Sequence, residues 1–162
     1  MPIRPPRCNW PSACAMRYSA LPKAGRYGAL ALLVSCAAGA AANDAPLPLR
    51  IGAHVFQVEV AATPQQRERG LMGRTRLPAD GGMLFVFGHA ARHCFWMRNT
   101  PLPLSIAFAD DRGRIVTLAD MQPHSDALHC PGTDARYALE VPQGEFRRRG
   151  IAAGAQIDGL PR

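Results

Sequence analysis

A chain of 162 residues, 48% of them hydrophobic, has room for one ordinary domain and an appendage. Its net charge of +7 suggests an anionic partner only until the charges are located, because Arg4, Arg7, Arg17, Lys23 and Arg26 all precede the first acidic residue, Asp44. Setting those five aside leaves 14 basic residues (19 less 5) against 12 acidic ones, a net of +2, which removes the main support for nucleic-acid binding.

The N-terminal segment has the order of a secretory signal. A positive stretch ends at Arg26, an apolar run covers Gly28 to Val34, and small residues continue to Ala42. Residues 1–42 therefore read as a signal peptide, with Met16 an alternative start because 16–42 alone carry every part. The apolar run is much shorter than the about 20 residues of a membrane span. Ala40-Ala41-Ala42 fits an A-x-A cleavage site and places the mature start at Asn43. Leu33-Val34-Ser35-Cys36 offers another outcome, a lipobox with Cys36 lipidated. Both outcomes put the domain outside the cytoplasm, periplasmic or secreted. Membrane attachment is limited to the signal peptide or a lipid on Cys36.

Residues 43–48 read as a linker and 49–160 as one domain. Leu49-Arg50-Ile51 and His54 to Ala62 flank Gly52-Ala53 as two strands around a tight turn, and Phe56, Val58 and Val60 alternate with polar neighbours. Thr63-Pro64-Gln65-Gln66 opens a short helix: Thr63 can cap it, Pro64 suits the first turn and Gln66 completes a capping box. The helix ends near Gly70 or Gly73. Met83 to Phe87 is continuously apolar, as in a strand covered on both faces. Phe95 to Met97, Leu104 to Ala109 and Arg114 to Ala119 follow as strands, with Asp111-Arg112-Gly113 as a hairpin turn. In Arg136 to Val141, Tyr137, Leu139 and Val141 share one face, leaving Arg136 and Glu140 on the other. Glu145 to Arg149 is a helical turn closed by Gly150, and Ala155 to Ile157 a last strand. Many short strands with Gly- and Pro-rich turns predict an all-β or β-rich α+β fold, a small barrel-like domain with one or two short helices.

Cleavage at Ala42 leaves Cys94 and Cys130 as the remaining cysteines. In an oxidising compartment the pair reads as a disulfide; the competing arrangement is a small buried Cys94 and a free or metal-binding Cys130. There is no CxxC, hence no redox motif or zinc knuckle.

Five strings occur in order: Arg69-Gly70-Leu71-Met72-Gly73-Arg74, Gly82 to Phe87, Phe95-Trp96-Met97-Arg98-Asn99-Thr100-Pro101-Leu102-Pro103-Leu104, Ala135 to Pro142, and Gly150-Ile151-Ala152-Ala153-Gly154. Together they resemble the DUF192 family, an uncharacterised family, over roughly residues 50–158. The resemblance implies a small β-rich fold, often behind a signal peptide, and no established activity. Ser105 and Ala155 each stand where the family commonly has Asp, so a mechanism needing either carboxylate is in doubt here.

The chemistry on offer is sparse. GxSxG, HExxH, GxGxxG and phosphate-loop motifs are missing, and the mature region has no lysine. His124-Ser125-Asp126 holds triad residue types, but neighbours in sequence cannot form a triad with one another. Three function classes remain. In the first, a non-catalytic binding or accessory domain holds a small molecule with Arg69, Trp96, Arg98, Asn99, Thr100 and Arg136, where guanidinium forks can grip an acid. The second is a periplasmic copper-handling module using His89, His93 and Met97. The third is a hydrolase-like enzyme with Glu68, Asp110 or Glu140 as general base. The first is the expectation carried forward, with no cofactor, no nucleic-acid partner and a monomeric state.

Overall fold

A computed structural model describes residues 45–162. The expected signal peptide, the Met16 start, the Ala42 cleavage site and the Cys36 lipobox lie outside the described residues.

Local chemistry explains the first elements. β1 (Leu47–Ile51) and β2 (His54–Ala61) pair antiparallel around the Gly52-Ala53 turn. β1 starts at Leu47, two residues before the expected start of the domain, and so takes in the last two residues of the expected linker. α1 (Pro64–Arg69) carries the anticipated capping box: Thr63 Oγ1 accepts from the Gln66 N–H at 3.2 Å, and Gln66 Oε1 accepts from the Thr63 N–H at 2.9 Å. The helix stops at Gly70, whose φ of +45° suits glycine and few other residues. α1 and the turns after it form the crossover that lets β3 (Gly81–Ala91) run parallel to β2.

β4 (Leu104–Ala109) and β5 (Ile115–Met121) form the anticipated hairpin. Asp110 Oδ1 ties the turn by accepting from the Arg112 and Arg114 N–H groups, both at 2.9 Å. Asp110 thus has a structural duty in the turn and lies outside the cleft described below. Gly113 has φ of +81°, and a side chain there would collide with Leu160. β6 (Ala135–Pro142) inserts between β4 and β3; α2 (Glu145–Arg148) and β7 (Ile157–Asp158) finish the chain.

The seven strands form one sheet in the order β5-β4-β6-β3-β2-β1-β7. Its two edges meet: Arg114 bridges Gln156, and the Ile115 N–H donates to Ala155 O at 2.9 Å. The sheet is thus a barrel-like curl with two short helices, in keeping with the predicted class. All seven strands contribute to the enclosed core, which includes Leu49, Phe56, Leu84, Ile115, Leu139 and Ile157. A second cluster, including Leu71, Phe85, Met97, Ile106, Phe108 and Met121, covers the opposite face.

That outer cluster needs a cover, and two irregular segments supply it. Phe95 and His129 exchange backbone hydrogen bonds of 2.8 Å each way, and Met97 N–H donates to Ser125 O at 2.9 Å. Phe95 to Met97, expected as a strand, makes only this single bridge. The turn at Arg98-Asn99 and the prolines at 101 and 103 stop a ladder from extending. Phe95 packs edge-on against Phe85, 4.9 Å between centroids, and against Phe108, 5.6 Å.

Beside the bridge, Cys94 and Cys130 form a disulfide, with Cα atoms 4.2 Å apart and 36 residues of separation. Cross-linking a loop of this length restricts the unfolded chain, worth about 3–4 kcal/mol on the chain-entropy model. Thiol titration of unfolded, unreduced protein should find no reactive thiol from this pair. The Cys94→Ser/Cys130→Ser double variant should unfold at lower urea; an unchanged midpoint would remove the stabilising role.

Candidate functional site

A cleft of about 400 Å³ opens over the outer face of the sheet. α1 gives it Arg67, Glu68 and Arg69, and the turn after α1 gives Leu71 and Met72. β3 contributes Phe85 and Phe87; the cover contributes His93, Cys94, Phe95, Trp96 and Thr100; β6 contributes Glu140. Gly70 matters here because a β-carbon would come within 3.2 Å of the Phe85 ring. Its absence lets the end of α1 approach the cleft wall.

Glu140 is the unusual group. In register it lies between Met83 on β3 and Ile106 on β4, both apolar, and it is 4% exposed. Among the described residues its carboxyl has no hydrogen-bond or ion-pair partner. Burial pushes its pKa from 4.5 up to about 8. At neutral pH it is mostly a neutral acid, one O–H donor and one acceptor facing the cleft.

The alternation in β6 had placed Glu140 on a polar face with Arg136, and this is corrected. Both faces of β6 are buried, because the outer cluster and its cover lie over the face expected to be wet. Arg136, at the other end of that face, has Nη1 3.9 Å from the Asp111 carboxylate, and its guanidinium lies 5.6 Å from the Tyr137 ring. Its Nε is buried without a partner, and Arg136 is no part of the cleft.

Of the other expected residues, Arg69, Trp96 and Thr100 do line the cleft. Arg69 is exposed and has no ion pair among the described residues. Arg67 is committed: Nη1 donates to Ala62 O and to Val86 O, the latter at 2.9 Å, and the guanidinium lies over Phe87. Arg98 stands outside the lining, stacked on the Trp96 ring at 4.1 Å and paired with Asp126 at 2.7 Å. Asn99 is also outside, with Nδ2 3.9 Å from the Met72 sulfur. Both support the cover instead of facing the cleft.

The residues suggested for copper are differently placed. Met97 is 1% exposed within the outer cluster. His93 stacks on Phe87 at 3.6 Å, with its ring centroid 6.0 Å from that of His89. Among the described residues no group of three His, Cys, Asp or Glu side chains could hold a metal ion.

Three other hollows are larger, and two of them hold charges that pair with one another. One, about 600 Å³, holds the Glu59–Arg74 ion pair and shares Arg69 with the cleft. The other, about 490 Å³, is lined by Ser105, Asp120 and Arg147. Here Ser105 Oγ donates to Asp120 and accepts from the Gly144 N–H at 2.9 Å, while Arg147 meets Asp120 at 3.2 Å. Asp120 is the register partner of Ser105. A carboxylate therefore reaches this spot from β5 although β4 carries serine.

A family model for DUF192, described as an uncharacterised ACR, matches residues 48–159. The chain belongs to the DUF192 family. Solved structures share its fold. A protein from Sinorhizobium meliloti 1021, provisionally described as a transcription regulator, is 37% identical with a TM-score of 0.69, covering 71% of this chain and 94% of its own. A protein of unknown function from Novosphingobium aromaticivorans DSM 12444 is 32% identical with a TM-score of 0.66, covering 68% of this chain and 83% of its own. No curated protein matches the chain. Within this DUF192 domain Glu140 is the functional candidate the sequence ranked too low; its signal was a carboxylate flanked on both sides by apolar residues, Tyr137 to Leu139 and Val141.

Proposed function

We propose that this DUF192 protein is an exported, non-catalytic domain that binds a small organic molecule in its outer cleft. The observation that carries the reading is Glu140: a buried carboxyl, unpaired within the described chain, facing a hollow with aromatic walls. The one side-chain polar atom fully buried without a partner among the described residues is Arg136 Nε, so the Glu140 carboxyl opens onto the cleft, where a ligand can supply its hydrogen-bond partner. The cleft volume falls in the usual range for small-molecule sites. Export is supported by the leader and by a disulfide suited to an oxidising compartment. The net charge of +2 beyond the leader gives no footing for nucleic acid.

One observation favours a second reading, hydrolase-like chemistry. A carboxyl with its pKa raised to about 8 is protonated at neutral pH and suits a general acid better than the general base first expected. Binding is preferred because neither Ser105, which is bound to Asp120, nor Ser125, which caps Ala127, lines the cleft beside Glu140.

Native mass spectrometry of protein recovered from the periplasm tests export and binding together. The expected species starts at Asn43 and carries an organic adduct of low mass, lost in Glu140→Leu and kept in Arg112→Ala. Full-length protein would refute export. An adduct that survives Glu140→Leu, or none in any form, would refute binding at this cleft.

A further inference from the structure

We propose that the molecule taken by the outer cleft is a small aromatic acid, with its ring among Phe85, Phe95 and Trp96, an uncharged polar group turned to Glu140, and a carboxylate held by Arg69. The inference deepens the binding reading above and rests on it.

The walls set the body of the molecule. Phe85 and Phe95 meet edge to face at 86°, and Phe95 continues the pattern to Phe87 at 87°. A further ring can join such a cluster edge-on or offset, the arrangements aromatic quadrupoles favour. Trp96 is 43% exposed, and Arg98 covers one face of its ring. The volume of about 400 Å³ admits a molecule of one or two rings.

Charge sets the two ends. Arg67 and Arg69 outnumber Glu68 among the charged lining groups while Glu140 is neutral. An ammonium would have to enter past two guanidiniums and also drive the proton from Glu140. A hydroxyl or carboxamide needs neither, since a neutral carboxyl donates one hydrogen bond and accepts another. Arg67 is held by two backbone carbonyls and the Phe87 ring, leaving Arg69 as the exposed fork for an anion.

Three probes of one shape separate the possibilities: para-hydroxybenzoate, para-hydroxybenzamide and para-hydroxybenzylamine. Amide chemical shifts of the isotope-labelled mature protein report where each binds and how tightly. The acid should bind most tightly, about fivefold or more ahead of the amide as expected for one charge-assisted fork, with the amine weakest. Arg69→Gln should bring acid and amide together while both still shift the cleft residues, and Arg69→Lys, which keeps the charge without the fork, should fall between Gln and Arg in preference. An amine that equals or exceeds the acid, or an amide that equals it, would overturn the aromatic-acid assignment and leave the cleft standing as a binding site. Failure of all three probes to shift the cleft residues would overturn both readings.

Discussion

Replacing Phe85 with Ala is expected to destabilise the fold by about 3–5 kcal/mol. Phe85 sits on β3, between β2 and β6, and is 2% exposed. Its ring makes the shortest of the aromatic contacts through which the cover, by way of Phe95, grips the sheet. Truncation would remove that edge-to-face pair and leave a ring-sized void. The surroundings have little freedom to collapse into it: β3 is fixed in register on both sides, and the disulfide holds the cover. Urea unfolding should show a large fall in midpoint with an unchanged slope. Val55→Ala, at a side chain 40% exposed on the same sheet, should cost less than about 0.5 kcal/mol. A loss at Phe85 below about 1 kcal/mol would mean that the cover does not depend on this ring.

Converting Glu140 to Gln should change the pH dependence of stability even more plainly. In the folded protein burial lifts the Glu140 pKa to about 8, whereas in the unfolded chain it ionises near its ordinary 4.5. Between those values the unfolded state has released a proton that the folded state keeps. Stability from this group is therefore complete below pH 4.5, falls as pH rises toward 8, and levels above it. The slope is roughly 1.4 kcal/mol per pH unit and the whole span roughly 3–5 kcal/mol. Glu68, Arg67, Arg69 and His93 share the cleft, but none is an ion-pair partner of Glu140. Gln keeps a neutral donor and acceptor without titrating. Glu140→Gln should match the native protein near pH 4.5 and exceed it progressively to pH 8. Denaturation of both proteins at pH 5, 6, 7 and 8 reads the difference; parallel curves would show that Glu140 is solvated and already ionised.

These two residues differ in how far the sequence exposed them. The run Met83 to Phe87 announced a strand covered on both faces, and β3 is one. Arg69, Trp96 and Thr100 were legible as cleft residues because each carries a side chain that is hard to leave idle. Glu140 was hidden by its neighbours. Tyr137, Leu139 and Val141 alternate with it, and that alternation normally marks a sheet with one wet face. Arg98 misled in the opposite direction: its local stack on Trp96 and its pairing with Asp126 absorb the guanidinium that seemed available. In both cases the deciding partner lies far away in sequence, at His129 bridging Phe95 or at Asp126.

The sequence by itself determined what short-range physics controls. Thr63, Pro64 and Gln66 specify the start of α1, Asp111-Arg112-Gly113 specifies the β4–β5 turn, and period-two alternation specifies β2. Each involves residues within a few positions of one another, where sterics and single hydrogen bonds suffice. The DUF192 membership was equally legible, since it rests on strings of adjacent residues. Only the tertiary structure decided which sheet face is dry, whether Phe95 to Met97 forms a ladder, and which side chains share a cleft. Those outcomes depend on how the segments around Cys94 and Cys130 fold over the sheet. That cover desolvates Glu140 and turns a residue that reads as a surface carboxylate into a largely buried acid at the edge of a cleft.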